Sequence, residues 1–274
     1  MMEILQYTFF QNALTGSILA SILCGIIGTY IVTRRLVFIS GGITHASFGG
    51  VGLGVYLGFS PILSAAVFAV LSAFGVQWFR KQQNMREDSA IAIFWTFGMS
   101  IGIICSFLTP GFMPDLSSFL FGNILTITAP DLYVLAALTL LTALFFGTFL
   151  RSIIAISFDR EFARSRHLPV TLFEYILMAL IALTIVATLR MVGIVLVMSL
   201  LTIPPTTANI FTHNYKHIIF LSILLGNVSC LGGLFLSYHY NVPSGASIIM
   251  VSILLYLCCK IFSLIFPAGK AINN

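Results

Sequence analysis

The chain is a succession of apolar runs, each close to the roughly 20 residues that a helix needs to cross the hydrocarbon core of a bilayer. Nine are legible, with soft ends, at 10–33, 36–59, 61–79, 89–108, 131–150, 171–189, 191–212, 217–238 and 245–266. Eight is the alternative count. A backbone in lipid must satisfy its own N–H and C=O groups, and runs of this length do so as helices. The expected fold is therefore all-α, a polytopic membrane helix bundle of about nine transmembrane helices forming one domain over residues 1–274. A water-facing surface does not fit the composition. Only 8% of the residues are charged and 59% are hydrophobic, whereas soluble domains carry about 25% charged residues.

The placement of basic residues tests this reading. With Arg34 and Arg35 in the cytoplasm and the spans alternating from there, Arg80, Lys81, Arg86, Arg151, Arg160, Arg164, Arg166, Lys216, Lys260 and Lys270 also fall inside. Only Arg190 falls outside, so twelve of the thirteen Lys and Arg share one side. That bias predicts an outside N-terminus and an inside C-terminus. It also places the net positive charge at span ends, which argues against a nucleic-acid partner. Residues 1–11 hold no Lys or Arg, so the first run lacks the basic start of a signal peptide and is expected to be a retained span. Residues 116–125 are too short to cross and suit a re-entrant turn or an interfacial helix.

Glycines cluster by spacing. Gly50, Gly54 and Gly58 stand four apart in the second span, with Gly49 and Gly52 beside them, and Gly98 and Gly102 repeat the spacing in the fourth. Small residues at i, i+4 let membrane helices approach closely, so these five spaced glycines are expected packing positions. Gly41-Gly42 precedes Thr44-His45 inside a span, where a helix could be interrupted to line a cavity. Cys24, Cys105, Cys230, Cys258 and Cys259 lie in or beside apolar runs without a CxxC pair, which suits packing rather than a disulfide framework.

The chemistry is sparse. No G-x-x-x-x-G-K-[ST] loop occurs, so no cofactor is held in the P-loop manner. No nucleophile-and-base set is present, and the chain is not expected to be an enzyme. None of the acidic residues falls in mid-span. This weighs against an ion-coupled secondary carrier, which usually needs carboxylates inside the membrane. His45 would lie near the midplane, either as a transition-metal ligand or as an imidazole hydrogen-bonded to a neighbouring helix. His213, His217 and His239 fall at membrane edges, where interfacial solvation suffices. Residues 158–169 read FDREFARSRHLP. Acids open this segment and bases close it, as a helix dipole favours; Phe158 and Phe162 share a face, and Pro169 ends the turn. It reads as a short amphipathic helix that either lies on lipid headgroups or docks a partner.

Several segments together resemble the permease family of ATP-binding-cassette importers for zinc, manganese and iron, the ABC-3 family. Thr44-His45-Ala46-Ser47 is similar to its S-H-A-S run, and LFGNIL at 120–125 to its LFG-[DN]-IL segment. Residues 158–163 with Leu168-Pro169-Val170 resemble its FDPEFA…GLPV helix. GIVLV at 193–197 with PPTTA at 204–208, and GGL at 232–234 with PSGA at 243–246, follow in the family's order. The resemblance implies a permease in a bacterial inner membrane. It implies a homodimer or a close pair, surrounded by lipid, on cytoplasmic ABC ATPase subunits, with an extracytoplasmic metal-binding protein delivering a divalent metal ion. It implies that Phe158, Asp159, Arg160, Glu161, Phe162, Ala163, Arg164, Leu168 and Pro169 form a cytoplasmic coupling helix to the ATPase. It also implies that His45 is a transient metal ligand. Two positions depart. The family commonly has Asp four residues before this His, where Gly41 stands here, and a metal chelate is the alternative cargo. The family usually has Gly where His167 stands, so that helix end is expected to be capped differently.

Overall fold

The computed structural model describes residues 7–82, 87–110, 122, 124 and 127–265. Within them the chain forms nine helices and no strand. These are α1 (Thr8–Thr33), α2 (Val37–Leu57), α3 (Pro61–Gln82), α4 (Glu87–Leu108), α5 (Ala129–Phe158), α6 (Arg160–Ser165), α7 (Val170–Phe211), α8 (Tyr215–Tyr240) and α9 (Ser244–Ile265). The polytopic helical bundle follows from the length and apolarity of the runs. The re-entrant expectation for 116–125 falls outside the described residues except at Gly122 and Ile124.

Eight helical segments among the described residues are long and apolar enough to cross a membrane. Two of them, Val170–Leu189 and Val192–Phe211, belong to α7 and are separated by a backbone break at Gly193 (φ 73°, ψ 166°). Only glycine enters that region without steric cost. The ninth expected span is α2. Its 21 residues, six of them glycine, reach about 31 Å at 1.5 Å per residue, but it is not among those eight. The helix is buried among its neighbours rather than spread against lipid, with 13 of its 21 residues inside the fold.

Two packing groups make up the bundle. The first is α2 held between α3 and α4; the second gathers α5, α7 and α8 about the largely buried α1, with α9 packed outside against α7 and α8. The two meet where α7 contacts α3 and α2. Close backbone approach sets both. A Cβ on Gly50 would sit 2.5 Å from the Ser64 carbonyl of α3, and one on Gly98 would sit 2.5 Å from Cα of Ala46 in α2. In the second group, Pro205 has no N–H to offer the Leu201 carbonyl, and Gly28 of α1 lies directly against that oxygen.

Three expectations need correction. Gly58 is not a packing glycine: it caps α2 in a left-handed conformation (φ 73°) with nothing within 4 Å of a built Cβ. Gly41-Gly42 does not interrupt its helix, because α2 runs unbroken from Val37 to Leu57. The glycines there instead admit neighbours, Ile91 at Gly42 and Met198 at Gly41. The amphipathic helix is also shorter than 158–169. Asp159 is extended (φ −145°) and its carboxylate accepts from the Phe162 N–H at 2.9 Å, so α6 begins at Arg160. Phe158 therefore ends α5 and shares no helix with Phe162, although both rings are exposed.

Candidate functional site

His45 sits near the middle of α2. Around it the hydroxyls consume their own hydrogen-bonding capacity. Ser40 donates to the Val37 carbonyl (2.7 Å), Thr44 to that of Ser40 (2.6 Å) and Ser47 to that of Thr44 (2.6 Å). Such back-bonding lets polar residues enter an apolar bundle at low cost. From residue 39 to residue 50 only His45 is not buried. Its ring lies flat on Trp95 of α4, with centroids 4.3 Å apart and planes within 6°. Its Nδ1 is buried and has no hydrogen-bond partner. Of the two readings open from the sequence, the hydrogen-bonded imidazole is absent among the described residues; a stacked ring with a free nitrogen stands in its place.

The stack depends on the glycines. Gly98 is one turn beyond Trp95 and lies against Ala46, the residue after His45. Gly49 faces Gly98, where a Cβ would be 2.6 Å from the Gly98 carbonyl, and Gly102 faces the Phe48 carbonyl at 2.7 Å. On the opposite side Gly54 meets Cα of Pro61 at 2.9 Å. One turn before His45, a Cβ on Gly41 would lie 2.9 Å from Cε and 3.6 Å from Sδ of Met198. The thioether thus occupies the space in which a side chain at position 41 would stand. Sequence reasoning gave no role to Trp95 or Met198. Neither has a local signal, because each meets α2 only through tertiary packing.

No three His, Cys, Asp or Glu side chains among the described residues are grouped to hold a metal. The arrangement suits a ligand that a cation visits rather than a resident metal site. His213 and His217 are exposed and His239 packs edge-on against Tyr240. Cys24 and Cys230 are buried, the latter accepting from the Ser21 hydroxyl at 3.5 Å.

The other polar concentration is at the Arg34 end of the bundle. There α6 projects Phe162, Arg164 and Arg166, with Ala163 buried beneath. Glu161 and Arg164 pair at 2.8 Å, and the Arg166 guanidinium lies 5.6 Å from the Phe162 ring centre. An open groove beside it is lined by Arg164, Leu168, Pro169 and Tyr175 among others. His167 does not bring a different cap. It adopts the left-handed conformation itself (φ 58°), and the Leu168 N–H reaches the Ala163 carbonyl at 3.2 Å. The closure is one that glycine would make without strain. Arg160, expected as a docking residue, pairs with Glu174 while staying half-exposed. Sequence reading passed over Glu174, which is buried one turn inside α7. An acid in the apolar stretch TLFEYILMAL was a usable signal, since a charge there must find partners.

A sequence model of the ABC 3 transport family matches residues 6–263. An uncharacterized membrane protein of Synechocystis sp. is 41% identical over 262 residues, covering 96% of this chain and 93% of its own length. The manganese transport system membrane protein of Halalkalibacterium halodurans is 34% identical, over 95% of this chain and 89% of its own. Among solved structures, a chain of PsaBC from Streptococcus pneumoniae in complex with Fab superposes with a TM-score of 0.84 at 30% identity, over 94% of this chain and 93% of that one.

Proposed function

Because this chain belongs to the ABC 3 transport family, we propose that it is the membrane-spanning permease subunit of an ATP-driven importer that moves a divalent transition-metal ion into the cytoplasm past His45. The observation that carries this reading is the unpartnered Nδ1 of His45, held inside a glycine-packed bundle by the Trp95 stack. An ionisable group at that depth is costly unless it is used, and imidazole is a ligand for zinc, copper, iron and nickel. The relative named for manganese transport supports a transition-metal cargo.

Two copies of the chain place their His45 rings on either side of a shared path, and access alternates between the two faces. The bundle lies in a bacterial cytoplasmic membrane with the Arg34 end inside, the N-terminus outside and the C-terminus inside. An extracytoplasmic metal-binding protein delivers the ion. A cytoplasmic ATPase subunit receives α6 and the end of α5, where exposed Phe158, Phe162 and Arg164 offer an apolar and cationic contact. The meeting of Arg34 with Arg160 through Glu174 supports their sharing one face of the membrane.

The donors near His45 bear on the ion. Imidazole suits zinc and iron, and Gly41 puts no carboxylate oxygen, the donor that suits manganese, one turn before it. The decisive experiment reconstitutes the permease with its ATPase and measures zinc, manganese and iron uptake by wild type and His45→Ala. Wild-type uptake that survives intact in the variant would remove His45 from the path. Uptake driven by an ion gradient without ATPase would overturn the ATP-driven reading.

A further inference from the structure

Glu174 is the only buried acid among the described residues, and α1, α3 and α6 each send a side chain to it on α7. It sits in the first turns of α7. One carboxylate oxygen receives Arg34, the C-cap of α1, at 3.4 Å. The other receives Arg160, the first residue of α6, at 2.5 Å, and the Gln77 amide of α3 at 3.0 Å. Arg34 also donates to the Ile156 and Ser157 carbonyls in the last turn of α5, at 3.2 and 3.4 Å. Those carbonyls lack intrahelical partners.

The attachment of α6 makes this arrangement consequential. The helix has six residues, and only Ala163 is buried. Apart from the chain on either side, Arg160 is its one ionic hold on the bundle among the described residues. Glu174 is buried while Arg160 is half-exposed, so pulling Arg160 away leaves the carboxylate less compensated in its apolar setting, and the pair resists separation. A displacement of α6 is therefore passed to Glu174. From there it reaches Gln77 on α3, and α3 lies against the Gly50–Gly54 face of the helix that carries His45.

We infer that Glu174 is a positioning residue that ties α6 to α1, α3 and α7, so that movement of α6 is converted into movement of the helices lining the path. This rests on the reading of α6 as the ATPase contact, and coupling is demonstrated by an equilibrium that both sites bias. The test is therefore a coupling ratio. In proteoliposomes holding the permease with its ATPase, metal imported and ATP hydrolysed are measured together, with zinc, manganese and iron(II) each as probe.

Glu174→Gln is expected to keep hydrolysis near wild type while metal imported per ATP falls about tenfold, within the range for coupling between sites. Arg160→Gln should do the same. The double variant should be no worse than either single one, because one pair is lost in all three. Arg160→Lys, which keeps the charge at a half-exposed position, should recover most of the ratio even if the Glu174 variant fails to assemble. An unchanged ratio in both Gln variants, equal losses of hydrolysis and import, or additive losses in the double variant would overturn the inference. Absence of ATP-dependent import in wild type would instead defeat the parent reading.

Discussion

The two polar regions of this bundle solve the same problem in opposite ways. Around His45, backbone carbonyls absorb the hydroxyls and glycines bring the helices together, yet one imidazole nitrogen is left without a partner. Around Glu174, no carboxylate oxygen goes unused, since two arginines and an amide converge on it. The first region leaves an imidazole nitrogen free, as the proposed path for an ion requires. The second ties helices together: both carboxylate oxygens are taken, and the guanidinium nitrogens left without partners there, Nε of Arg34 and Nε of Arg160, are cationic donors that offer a metal ion nothing. Burial of a polar group therefore does not by itself mark a cation site; a free acceptor nitrogen is what separates the two.

Substitution can sharpen that contrast. The largest effect is expected from His45→Ala, with metal uptake reduced by at least the upper end of the about 10–100-fold that loss of even an outer-shell partner costs a metal site. Membrane assembly, followed by size-exclusion chromatography in detergent, should be unchanged, because the removed nitrogen bonds to nothing in the protein.

Gly98→Leu should act by packing instead. Its side chain would press on the Ala46 backbone, separating α2 from α4 at about 1–3 kcal/mol and lifting Trp95 from His45. A lowered thermal midpoint in detergent together with reduced uptake would register both effects. Gly147, with nothing within 4 Å of a built Cβ, is the control. Gly147→Ala in the interior of α5 should be neutral or stabilising by up to about 1 kcal/mol.

Gly41→Asp adds a carboxylate one turn from His45. The Met198 methyl at 2.9 Å is the flexible end of a side chain and can give way. The ratio of manganese to zinc uptake should rise in competition assays. An unchanged ratio would show that position 41 does not face the ion. The smallest effect is expected at the charged end. His167→Gly relieves the left-handed strain after α6 and should stabilise the protein by about 1 kcal/mol, read as a small rise in thermal midpoint.

Much of the first region and little of the second could be read from the chain. The i, i+4 spacing marked Gly50, Gly54, Gly98 and Gly102, and an imidazole within an apolar run marked His45. Spacing misjudged Gly58, because it cannot tell a glycine facing a neighbour from one ending a helix. It also carried the amphipathic helix back to Phe158, because helical periodicity does not register that an Asp can cap its own chain. Arg160 resembled an outward docking residue since its partner lies fourteen positions away on the next helix. Glu174 was passed over because its partners lie on other helices.

What the sequence alone determined is the membrane-embedded helical character, the location of the apolar segments and the presence of one deep imidazole. These are local properties, set by the length of uninterrupted apolar chain and the cost of leaving backbone groups unsatisfied in lipid. Tertiary structure alone decided that Trp95 lies under His45, that Met198 fills the space above Gly41, and that Arg34, Gln77 and Arg160 share one carboxylate. Each of these contacts joins residues far apart in the chain, and helix packing chooses neighbours by the shape of whole faces rather than by nearby residues.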